Sequence, residues 1–129
     1  MKDTDLIASV ALPAANASAS TAALDLGVTY ADQLGIVTAE LTLPALANLV
    51  DDKTVTVSVT DCATSGGSYA AVAGIGNLVV TGAGGNGSDA TTWTLYLPPH
   101  TKRYIKAKAD VLVGGGNNTA SSLGIAIKG

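Results

Sequence analysis

The adjacent prolines Pro98 and Pro99 constrain this chain more than any other pair of residues. Before them, Trp93, Leu95 and Leu97 alternate with Thr92, Thr94 and Tyr96, the period-2 pattern of a half-buried strand. Proline has no N–H to donate to a ladder, so that strand must end at Pro98. Beyond the turn, Arg103, Ile105, Ala107 and Ala109 fall on one face of a second strand, and Lys102, Tyr104, Lys106 and Lys108 on the other. The expectation is a hairpin-like corner whose second strand is painted with positive charge on one side.

The rest of the chain keeps this two-residue rhythm. Leu6 to Leu12 is a first strand, Pro13 to Ser20 a small-residue connector and Thr21 to Leu26 a short second strand. In Ile36 to Leu43, Val37, Ala39, Leu41 and Leu43 face one way. Leu46, Leu49 and Val50 are helically spaced and predict a single helical turn over 44–50. The run Thr54 to Thr60 alternates valines inward and hydroxyls outward. Short strands follow at 69–73 and 78–81, with a flexible glycine loop from Gly82 to Asp89. Val111 to Val113 continues the sheet, Gly114 to Asn118 turns, and Leu123, Ile125 and Ile127 share one face of a closing strand. Eight or nine short strands separated by turn signals make an all-β sandwich or barrel. These 129 residues suffice for one domain spanning 1–129.

Composition limits the core. The apolar fraction is 47%, but much of it is alanine, and Trp93 with four tyrosines supplies all the aromatics. Burial is worth about 25 cal/mol per Å² of apolar surface, and alanine brings little area. With charged residues at 13%, the surface must be largely small and uncharged. Both features predict a homo-oligomer, a dimer slightly ahead of a trimer. Net charge is −3, yet five of the seven basic residues lie between Lys102 and Lys128, and nine of the ten acidic ones precede Lys102. One basic patch facing an acidic protein surface fits this asymmetry. A nucleic-acid binder would be basic throughout and would interleave stacking aromatics, so no nucleic-acid partner is expected.

The chemistry-bearing residues do not converge. Cys62 is the single cysteine, so it has no intrachain partner and is expected as a small residue at a strand end, in a protein made in a reducing cytoplasm. His100 sits in the Pro-Pro turn with no Gly-x-Ser-x-Gly elbow anywhere, which argues against a catalytic triad. Gly82 to Gly87 matches a dinucleotide glycine pattern, but a strand follows it where a helix is needed. Gly84 to Asp89 is one copy of a calcium repeat that needs stacked copies. One histidine and one cysteine exclude ordinary zinc clusters. No enzyme activity, cofactor or metal is expected. The acidic leader Met-Lys-Asp-Thr-Asp argues against a signal peptide, and no apolar run is long enough to span a membrane. The basic face of Lys102, Lys106 and Lys108, with Arg103 beside it, is the best candidate for partner contact. Its bland alternative is a lysine-protected edge strand.

The segment Leu97-Pro98-Pro99-His100-Thr101-Lys102-Arg103-Tyr104, set between two strands, resembles the corresponding segment of jelly-roll capsid cement (head decoration) proteins of tailed double-stranded DNA bacteriophages. The order of elements is similar over most of the chain. A small-residue entry leads to Leu24-Asp25-Leu26-Gly27, then a Val-Thr-Val strand, a Gly/Ser loop, and a glycine-rich turn before the closing strand. Residues 31–50 carry no matching positions. The resemblance implies a jelly-roll-type β-sandwich of eight to nine short antiparallel strands. It would sit on the outer capsid surface of the virion, bridge neighbouring major capsid proteins and use no cofactor. Two rivals are a phage fibre or receptor-binding tip, and a carbohydrate-binding β-sandwich module.

Overall fold

In a computed structural model, the structure describes residues 7–25, 38–64, 66–72, 77–97 and 102–128. Ten strands form among them, and no helix: β1 (Ile7–Ala11), β2 (Ala17–Ser20), β3 (Leu24–Asp25), β4 (Thr38–Leu43), β5 (Thr54–Cys62), β6 (Ala70–Ala71), β7 (Leu78–Thr81), β8 (Thr91–Tyr96), β9 (Tyr104–Val111) and β10 (Ser122–Lys128). They make two sheets, one ordered β1-β10-β4-β8 and the other β2-β9-β5-β6, with β3 added beside β9 and β7 beside β5. Every strand pairing is antiparallel. In the second sheet β2 and β3 follow one another along β9, and β6 and β7 along β5, so six strands fill four rows.

The pairings nest. β1 pairs with β10, β2 and β3 with β9, β4 with β8, and β5 with β6 and β7. The first half of the chain therefore meets the second half in reverse order. The lateral pairs β10–β4 and β5–β9 knit these couples into the two sheets.

Alternation explains what the sheets bury. Ala39, Leu41 and Leu43 of β4, Val55, Val57 and Val59 of β5, and Leu123, Ile125 and Ile127 of β10 are buried. So are Ile105, Ala107, Ala109 and Val111 of β9, and one apolar cluster draws on both sheets. Each fully buried leucine, isoleucine or valine contributes roughly 1.5–3 kcal/mol. Trp93 and Leu95 of β8 face the same core but are only partly buried.

Several expectations need correction. Residues 98–101, 26–37 and 73, with Leu6, lie outside the described residues, so the Pro-Pro turn and His100 do too. What flanks that turn is nevertheless clear. β8 belongs to one sheet and β9 to the other, so the segment links the sheets and does not close a hairpin. Ala17–Ser20, expected as connector, is a strand paired with Lys108–Val111. Residues 44–50 form turns and a bridge from Leu46 to Ser88 instead of a helical turn. Leu46 and Leu49 plug the end of the sandwich, while Val50 is exposed. In β5 the hydroxyls do lie on the outward side, opposite Lys108 and Lys106, yet Ser58 and Thr60 are buried there, and Thr60 Oγ1 donates to the Lys106 carbonyl at 3.3 Å.

The glycine loop is tightly built. The Gly85 N–H donates to Asp51 Oδ1 at 2.9 Å, and Ser88 exchanges backbone hydrogen bonds with Leu46. A Cβ at Gly87 would fall 1.7 Å from the Leu46 oxygen, so only glycine admits that approach.

Candidate partner-contact face

The outward face of β9 shows Tyr104, Lys106, Lys108 and Asp110, all half-buried, alternating with the buried Ile105, Ala107, Ala109 and Val111. β9 is an interior strand, flanked by β2 and β3 on one side and β5 on the other. Edge protection therefore does not account for its lysines. They stand in the middle of a broad sheet face, between Ser20 and Ser58 at Lys108, and beside Thr60 at Lys106.

Arg103 departs from the expected pattern. It precedes β9 in a bend and is not part of the inward row with Ile105. Its guanidinium grips Asp25 of β3 with two hydrogen bonds, Nε to Oδ1 at 2.7 Å and a terminal nitrogen to Oδ2 at 3.0 Å. The β3–β9 register, which sets Asp25 opposite Tyr104, brings the two together. The same guanidinium lies 5.1 Å from the Tyr104 ring centre. Hydrogen bonding to Asp25 holds the Arg103 pKa above its ordinary value. Both side chains are over 40% exposed, so this fork fixes geometry more than it adds stability.

Lys102 is exposed, and its backbone N–H donates to Asp61 Oδ2 at 3.0 Å, tying the start of β9 to the end of β5. Lys106 Nζ stands 4.3 Å from the centre of the Tyr69 ring. Burial pushes the Tyr69 hydroxyl pKa up. Lys108 Nζ is 3.9 Å from Asp110 Oδ1, a loose pair. The face is thus mixed in charge. Lys102, Arg103, Lys106 and Lys108 bring four positive charges, and Asp25 and Asp110 return two, while Asp61 is buried opposite Ile105. Asp110 shares the parity of Lys106 and Lys108, so sequence alternation contains that signal. Asp25 and Tyr69 are brought in only by the fold.

Beyond Asp110 the face dips into a shallow groove of about 370 Å³ lined by Asn16, Ser18, Thr54, Thr56, Asp110 and the exposed Leu112 and Val113. Cys62, at the end of β5, lies across from Tyr104 with its pKa lowered, chiefly by hydrogen bonding to the Thr64 backbone. Among the described residues no three His, Cys, Asp or Glu side chains gather to hold a metal, and no helix is long and apolar enough to cross a membrane. What this arrangement offers is a sheet face with positioned cations beside a groove, suited to docking. In comparisons with known proteins, no family model and no curated sequence matches this chain.

Proposed function

We propose that this chain is a jelly-roll cement protein, a structural virion component that binds the outside of an icosahedral phage head and ties neighbouring major capsid proteins together. The observation that carries the reading is the nested pairing of the two halves of the chain across two four-row sheets. That order supports a jelly roll, the eight-strand double-sheet wrap. The Leu97-to-Tyr104 segment that resembles cement proteins links one sheet of this wrap to the other. The mixed face of β9, with Lys102, Arg103, Lys106 and Lys108, is the proposed capsid contact. Self-association multiplies weak contacts, because one oligomer grips several capsid subunits at once.

The test is decoration of bare heads by purified protein across a salt series. Changing Lys102, Lys106 and Lys108 together to Gln removes three cations without shortening the chain. Exposed ion pairs are worth roughly 0.2–1 kcal/mol each, so affinity per subunit falls by at most about a hundredfold. High salt mimics the change, since the Debye length is about 3 Å at 1 M. Equal decoration by variant and parent at both salt extremes would remove this face from the contact. Failure of the parent to decorate heads under any condition would remove the reading itself. The groove beside Asp110 favours one alternative, a carbohydrate-binding module, which glycan-array binding abolished by Asp110→Asn would support instead.

A further inference from the structure

We infer that the outer edge of β8 is the surface through which two copies of this chain pair, strand against antiparallel strand, about a two-fold axis at Thr94. The inference rests on the self-association in the reading above and supplies its interface. Among the described residues β8 pairs with β4 on one side and with nothing on the other. An edge of this kind presents a row of backbone N–H and C=O groups ready to bond another strand. Proteins usually blunt such edges with lysine, proline, a bulge or interruption. Thr91–Tyr96 has none of these over six residues.

The other edges serve self-pairing less well. Both edges of the second sheet are interrupted, β2 giving way to β3 and β6 to β7. β1 is shorter, and its inward side chains are only Ala8 and Val10. β8 instead carries the chain's one tryptophan, Trp93, half-buried beside Leu95 on the inner face, while Tyr96 on the outer face is 69% exposed. Leaving so much aromatic surface wet on a chain this poor in aromatics calls for a cover.

Register decides whether a second copy supplies it. Residues directly opposite in an antiparallel pair lie on the same side of the sheet. Centring the axis on Thr94 sets Trp93 against Leu95 of the second copy and Thr92 against Tyr96, each twice, with Thr94 meeting itself. The inner pairs extend the core across the axis, and the outer pairs cover the tyrosine rings with threonine methyl groups. No charge lies on β8. Across the ladder, Glu40 is opposite Thr94 on β4. Two copies of Glu40 would stand three strand spacings apart, about 14 Å, beyond the Debye length of about 8 Å at physiological salt. Two four-strand sheets would thereby join into one of eight. So narrow a seam falls below the roughly 1,200 Å² of stable complexes, which makes the dimer weak in free solution.

Sedimentation of the free protein over a concentration series tests this without any capsid. The expected result is a monomer–dimer equilibrium accompanied by a blue shift of Trp93 emission as the dimer forms. Thr94→Lys sets an ammonium against its own symmetry mate on a solvent-facing position, and dimer affinity should drop about tenfold or more. In a Cys62→Ser background, Thr94→Cys should give a covalent dimer with oxidised glutathione, while Thr42→Cys, one strand inward, should not. A parent that stays monomeric to about 1 mM overturns the inference, as does a dimer indifferent to T94K with no T94C cross-link. Head decoration separates the two levels. Heads decorated equally by parent and T94K, with a monomeric parent, sink the interface and leave the cement reading standing. A T94K-sensitive dimer that ignores heads does the opposite.

Discussion

Gly85 and Gly87 sit two residues apart in one turn with nearly the same backbone, at φ of +73° and +71°. Their surroundings differ. A Cβ at Gly85 meets nothing within 4 Å, whereas one at Gly87 runs into the Leu46 and Ala47 backbone. Alanine at 85 should therefore cost only the left-handed strain, about 1–2 kcal/mol. Alanine at 87 should cost at least about 2 kcal/mol more from the clash. Urea unfolding of the two variants checks this, and equal losses would mean that the Leu46–Ser88 bridge yields freely. Cys62 gives a second residue-scale expectation. Thr64 stabilises the thiolate, so the folded pKa lies below the unfolded one. The thiolate's contribution is present above the unfolded pKa and is lost as pH falls through the folded pKa. In the window between them the native thiol is ionised while the unfolded one is not. Alkylation of Cys62 should consequently reach half its limiting rate at lower pH in native protein than in urea, and coincident profiles would contradict the Thr64 contact.

Among the elements, β5 and β9 stand apart. They pair over eight positions, from Val55 opposite Val111 to Cys62 opposite Tyr104, and each is flanked on both sides. Their amides should be the slowest to exchange with deuterium, while β2, β3 and β6 open first, being short and at edges. Exchange from β9 as fast as from β2 would contradict this order. These central strands were also the legible ones. Valine against threonine in Thr54–Thr60, and Ile105, Ala107 and Ala109 against Lys106 and Lys108, give a hydropathy contrast that period-2 reading detects. β2 was invisible because Ala17–Ser20 alternates small residue with small residue. The 44–50 segment misled because Leu46, Leu49 and Val50 have helical spacing, while the two buried leucines are set by the end of the sandwich and the bridge to Ser88. For the contact face, Lys106 and Lys108 were readable from alternation. The Asp25–Arg103 fork spans 78 residues and follows from β3–β9 register, which no local pattern encodes.

At the scale of the whole molecule, nesting makes the pairs most distant in sequence the last to gain from closure. β1 must find β10, with Ile7 against Ala126, before the first sheet is complete. Loop-closure entropy opposes such contacts until inner pairs have formed, so folding in milliseconds to seconds is expected. The same pairing sets Ile7 and Ala126 side by side, so the described strands nearly close on themselves. A short linker from Lys128 to Ile7, with the chain reopened between Gly66 and Gly67, would keep every strand in its row. A Cβ at Gly66 would meet nothing within 4 Å, so new ends there disturb little beyond the hydrogen bond from Gly67 N–H to the Thr64 carbonyl. The circular permutant would turn β10 and β1 into a local hairpin, and make the pairing of β5 with β6 the closure of greatest sequence span. Its circular dichroism and melting temperature should stay close to the parent's while the order of assembly reverses. Strand neighbours would then be fixed by the side chains facing each other across the sheets, whatever the order in which the chain delivers them.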